Sequence, residues 1–125
     1  MIRIIMLGAS LLLSLPQPIV GVIAGEVTIL KVEVTPVSKG KFRFDVTVRH
    51  EDEGWKHYAN RWQVEAPEGK ILGTRVLLHP HVNEQPFTRS LTAVNVPADV
   101  KNVVIRAFDS VHADSDKTVN VMIPH

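Results

Sequence analysis

Between Lys41 and Arg49 the chain reads Lys-Phe-Arg-Phe-Asp-Val-Thr-Val-Arg, with every second residue apolar. Successive side chains leave a strand on opposite faces, so a period of two marks an extended segment with one face buried and one in water. A helix could not gather Phe42, Phe44, Val46 and Val48 into one stripe. The alternation recurs. Leu30, Val32 and Val34 are interleaved with Lys31, Glu33 and Thr35, and Val119, Val121 and Ile123 repeat the pattern near the C-terminus. Trp62 to Ala66 and Ile71 to Leu78 flank Pro67-Glu68-Gly69-Lys70, a turn sequence that predicts a hairpin. Thr88 to Val96 and Asn102 to Asp109 are two further strands, parted by Pro97-Ala98-Asp99. About seven strands in about 100 residues predict an all-β fold, an antiparallel immunoglobulin-like or fibronectin-like sandwich. Trp62 is the natural core residue of the third strand.

The first residues belong to a different problem. Arg3 precedes an apolar run from Ile4 to Leu15, Pro16 and Pro18 follow, and Val22-Ile23-Ala24 offers a cleavage point. This is the pattern of a secretory signal peptide over residues 1–24, with one β-sandwich domain over 25–125. The run before Pro16 is shorter than the roughly 20 residues that span a bilayer. With no Cys after it, no lipoprotein anchoring is expected. The expected location is the periplasm or the medium, with no membrane association after cleavage.

Charge removes further classes. Apart from Arg3, the Lys and Arg residues balance the 13 Asp and Glu, and no block of like charge suggests a nucleic acid. The absence of Cys excludes thiolate metal sites and thiol catalysis.

The histidines point to chemistry through topology. Antiparallel strands alternate in direction, so alternate loops share an end of the sandwich. If Lys41–Arg49 runs upward, the loop with His50 and His57 is at the top. So are the loop with His79 and His81 and the one with His112; only His125 falls outside. Loops gathered on a rigid scaffold are where binding sites tend to form. In His79-Pro80-His81 the i and i+2 side chains of an extended chain point the same way, and Pro80 favours that extension. His79 and His81 are therefore the expected core of a metal site, completed by His50, His57 or His112. His50 also continues the inward parity of Phe42 to Val48. All-nitrogen ligation without thiolate predicts a copper or zinc ion.

Other residues set the alternatives. Glu51-Asp52-Glu53 and Asp114-Ser115-Asp116 lack the spacing of a calcium loop and read as solvated turns. Asp109, Ser110 and His112 are triad residue types, but no strained nucleophile turn accompanies them. No constellation for an enzyme acting on an organic substrate is visible. Arg61, Arg75, Arg89 and Arg106 would pair with Asp109, Glu84 or Glu65. The competing functional class is a non-catalytic interaction module that meets a periplasmic protein partner through Trp55, Tyr58, Phe87 and the arginines.

Two resemblances accompany this reading. His57-Tyr58-Ala59-Asn60-Arg61-Trp62, the stretch from Leu78 to Ser90, and Asp109-Ser110-Val111-His112 resemble a family of small secreted proteobacterial proteins of unassigned activity. His50, His57-Tyr58 and Trp62 before a Gly-containing turn are similar to part of the superoxide reductase pattern. That family sets four His and one Cys on iron in an immunoglobulin-like sandwich. This sequence has no Cys, so the resemblance implies only that such a sandwich can hold a His-rich metal site, with a superoxide-reductase-like redox protein as a further alternative.

Overall fold

The computed structural model describes residues 26–112 and 115–125; the signal-like segment 1–24 and Asp114 lie outside them. Strands form at β1 (Thr28–Ser38), β2 (Lys41–Arg49), β3 (Ala59–Glu65), β4 (Ile71–Val76), β5 (Phe87–Asn95), β6 (Asn102–Asp109) and β7 (Thr118–Met122). All pairings are antiparallel. One sheet has the order β1-β2-β5 and the other β4-β3-β6-β7. This is the immunoglobulin-like, fibronectin-like sandwich that the alternation predicts. Among the described residues no helix is long and apolar enough to cross a membrane.

The alternating residues form the core. Phe42, Phe44, Val46 and Val48 of β2 are all buried, and they face Trp62 and Val64 of β3 and Val103, Ile105 and Ala107 of β6. Trp62 is fully buried. On β1 the expected parity fails at one point: Leu30 is 45% exposed, while Ile29, Val32 and Val34 pack against the core. A register shift between Ile29 and Lys31 explains it. An extra residue in one strand inverts the facing of everything before it.

The fourth strand is also shorter than its apolar run. It ends at Val76, and Leu77 turns inward with its amide on the Asn60 carbonyl at 2.9 Å. From there the chain leaves the β4 ladder and crosses to the other sheet. Pro80 and Pro86, which have no N–H to give a ladder, lie on this crossing. The β3–β4 hairpin closes where expected, at Gly69 with φ +95°, its amide on the Ala66 carbonyl at 2.8 Å. Gly73 has a different reason. A Cβ there would come within 3.1 Å of Leu91 and 3.3 Å of Val94, so the missing side chain lets β4 lean onto β5.

The arginines divide between partners. Arg106 meets Glu65 at 2.8 Å and also donates to the Ser115 carbonyl, Arg89 lies 3.6 Å from Glu84, and Arg61 covers the Phe108 ring at 3.8 Å. Burial alone would raise the Glu65 pKa, but hydrogen bonds from Arg106 and Gln63 and the Arg106 charge outweigh it and lower it. A carboxyl with a depressed folded pKa stabilises the protein above its unfolded pKa, and that stability is lost as pH falls through the folded value. Arg106→Gln is therefore expected to lower stability at neutral pH. The gap from the native protein should shrink below about pH 4, as urea unfolding at the two pH values would show.

Candidate metal centre

The three loops at one end of the sandwich build the site. His50 follows β2 and keeps its inward parity, so its side chain is shut off from solvent. The loop then folds tightly, with the Asp52 amide on the His50 carbonyl at 2.9 Å and the Glu53 amide on the His57 carbonyl at 2.7 Å. That return carries His57 back beside His50. On the other sheet, Ala59 at the start of β3 is paired with Asp109 at the end of β6. The Ser110 amide donates to the Tyr58 carbonyl at 2.8 Å, and the Tyr58 amide donates to Ser110 Oγ at 3.0 Å. Asp109 thus arrives at the same point from the opposite direction.

The result is a close group. His57 Nε2 lies 3.2 Å from His50 Nε2 and 3.2 Å from Asp109 Oδ1. Ligand-type atoms of His50, His57 and Asp109 all fall within 4.8 Å of one another. The side chains of His50 and Asp109 are 0% and 2% exposed, and that of His57 is 12%.

Each inner member is held from behind. His50 Nδ1 is 2.6 Å from Asp52 Oδ1; the carboxylate accepts, so the proton sits on Nδ1. In a neutral ring the Nε2 lone pair then faces His57 and Asp109. Asp52 is itself saturated, since the Ala59 amide donates to Oδ1 at 2.9 Å and the His81 amide to Oδ2 at 2.6 Å. Asp109 accepts from the amides of Val111 and His112 at 2.8 Å each, and from His112 Nδ1 at 2.8 Å. Burial pushes the Asp109 pKa up, but the two amides and the His112 ring outweigh it and hold the carboxyl below its usual range. Asp109 is therefore an anion at neutral pH, as a ligand must be.

The structure does not bring the expected core residues into this group. His79 and His81 lie beside each other, with ring centroids 4.6 Å apart, but the side chain of His81 is committed to other contacts. It stacks on Phe87 at 3.9 Å, and the Arg89 guanidinium donates to its Nε2 at 2.9 Å. Burial, then the Arg89 and His79 charges, lower its pKa. A guanidinium on Nε2 opposes a cation at that nitrogen; Nδ1 is buried without a hydrogen-bond partner among the described residues, but His81 lies outside the close group of ligand atoms. His79 is exposed, with Nδ1 3.2 Å from the Pro80 carbonyl. His112 stands next to the group, its ring 5.6 Å from that of His57.

Two aspartates escaped the sequence reading. Asp109 stood there as a triad type or an arginine's partner, and Asp52 as part of a solvated acidic turn. The available signals were the spacing of His50-Glu51-Asp52, which repeats the i, i+2 logic of His79-Pro80-His81, and the placement of Asp109 at the upper end of its strand.

No protein-family model matches the chain, and no solved structure matches it. Among curated proteins, a "Putative lipoprotein" of the archaeon Halomicrobium mukohataei is 46% identical over 83 residues. The match takes in 65% of this chain and 40% of that protein, so the chain spans well under half the length of its relative. This corrects both resemblances drawn from the sequence. The relationship found runs to an archaeal protein, and no link to a proteobacterial family or to superoxide reductases accompanies it. Short runs such as His57-Tyr58 before a tryptophan are too brief to distinguish ancestry from the common demands of a sandwich end. The similarity that stands is to an archaeal protein whose name describes a lipoprotein.

Proposed function

We propose that this is an exported β-sandwich protein that binds a transition metal, zinc or copper, through His50, His57 and Asp109. The observation that carries the reading is the pair of 3.2 Å separations around His57 Nε2. Bonds of about 2.0–2.1 Å at tetrahedral angles set neighbouring donors about 3.3 Å apart, while an octahedral arrangement would set them about 2.9 Å apart. His57 Nε2 already stands near the tetrahedral spacing from the other two donors, and all three lie within 4.8 Å of one another. Carboxylate support behind a ligating histidine, as Asp52 gives His50, is the usual outer shell of such centres. The signal-like segment and the relative's name support export.

Calorimetric titration of Zn²⁺ and Cu²⁺ into the protein tests the reading. One ion per chain is expected, and His57→Ala should lose at least about 100-fold in affinity. A His79→Ala/His81→Ala double variant should keep the affinity of the native protein. Loss in the double variant with retention in His57→Ala would move the site to the His79-Pro80-His81 loop.

A second reading has one observation in its favour. Trp55, Leu78, Val82 and Val111 are all more than half exposed, on the same loops that carry the histidines. Such side chains suit an interaction module that meets a protein partner. Absence of any stoichiometric metal binding would favour it.

A further inference from the structure

We infer that a second copy of this chain docks on the outer edge of β1, strand against antiparallel strand, about a two-fold axis at Val32. β1 is the longest strand, at 11 residues, and it lies at the end of its sheet. Among the described residues, no strand pairs with its outer side. An open edge of this length is a template for another strand. The two flanks of the sandwich also differ. On one, Gly73 lets β4 lean onto β5. On the other, β1 and β7 part at a groove of about 320 Å³, lined by Ile29, Leu30 and Val32 and by Val119, Val121 and Met122. Leu30 and Met122 are exposed there.

Charge selects the occupant and the register. Val32 and Val34 pack towards the core, so Lys31 and Glu33 share the opposite, solvent face, where they form an ion pair within one chain. Glu33 stands opposite Asp45 of β2, a like-charge pair that a cation on the open side of β1 offsets. With Val32 opposite Val32, a second copy supplies that cation in both directions: Lys31 of each chain faces Glu33 of the other. Moving the axis by one residue sets Lys31 against Lys31, or Glu33 against Glu33, and both are unfavourable. Pairing with β2 is regular from Lys31 to Pro36, so the backbone is straight where the charges meet. On the inner face the two half-buried Val32 side chains cover each other. The two three-stranded sheets join into one, with the histidine ends of the copies pointing in opposite directions.

Sedimentation velocity over protein concentrations reaching about 1 mM is the test, because so short a seam makes a weak dimer. A reversible, concentration-dependent dimer is the expected result for the native protein. Lys31→Glu and Glu33→Lys each set like charges against each other twice per dimer, so each variant alone should raise the dissociation constant about 10-fold or more. An equimolar mixture of the two variants should recover the native affinity, since the charges across the seam are again opposite. The double variant Lys31→Glu/Glu33→Lys exchanges the charges within one chain and should match the native protein, which keeps the test valid if a single variant is destabilised. Native protein that stays monomeric throughout would overturn the inference. So would a dimer indifferent to both single variants, or a mixture that does not recover, because the contact would then lie elsewhere on the surface.

Discussion

Asp52→Ala is expected to cost about 3–5 kcal/mol of folding stability and about 10–100-fold in metal affinity. Few side chains in the protein serve so many masters. Its carboxylate accepts from the His50 ring, the Ala59 amide and the His81 amide, and the side chain is fully buried. These donors belong to three segments: the end of β2, the start of β3 and the crossing from β4 to β5. Removing the acceptor strands all three N–H groups in a place where each costs about 1–3 kcal/mol if unsatisfied. It also frees the His50 ring to rotate or change tautomer, and the Nε2 lone pair then no longer has to face the ion. Asp52→Asn separates the two effects. It preserves volume and one acceptor, but its NH₂ must confront a donor, so an intermediate stability loss is expected. Urea unfolding and metal titration on the native protein and both variants measure the outcome. An Asp52→Ala protein with native stability and native affinity would remove Asp52 from the site.

Trp62→Ala should be the other large effect, at about 3–5 kcal/mol, against a total stability of about 5–15 kcal/mol for such a protein. Trp62 is completely buried between the sheets, and truncation leaves a cavity that the rigid ladders on either side cannot collapse to fill. Trp62→Phe should be much milder. The indole Nε1 is buried without a hydrogen-bond partner among the described residues. Phenylalanine discards that unsatisfied N–H together with the lost ring, so the two terms oppose each other. The midpoints of urea unfolding should therefore fall in the order native, Trp62→Phe, Trp62→Ala. A Trp62→Phe variant as damaged as Trp62→Ala would show that the indole N–H is satisfied in solution.

The sandwich was legible in the sequence because its cause is local. Phe42, Phe44, Val46 and Val48 alternate since a half-buried strand requires it, and the parity carried one step further to place His50 inward. Pro67 and Gly69 likewise announce the β3–β4 hairpin from within their own few residues. Leu30 marks the limit. A register shift between Ile29 and Lys31 turned it outward, and that irregularity exists only in relation to the partner strand.

Strand parity and direction also gathered the histidine loops at one end, but could not choose among them. Distances across loops depend on how each chain returns, and no periodicity encodes that. Tertiary structure set Asp109 opposite Ala59, folded His57 back onto His50, and assigned Asp52 to three backbone and ring donors. It also turned His81 against Phe87 and Arg89, away from the role its spacing suggests. Sequence alone determined which faces of the strands must be buried, because the hydrophobic effect acts on a repeating pattern. Which polar groups meet at the end of the sandwich was decided only when the two sheets packed, because hydrogen bonds and ligand geometry depend on angstrom distances between segments far apart in the chain.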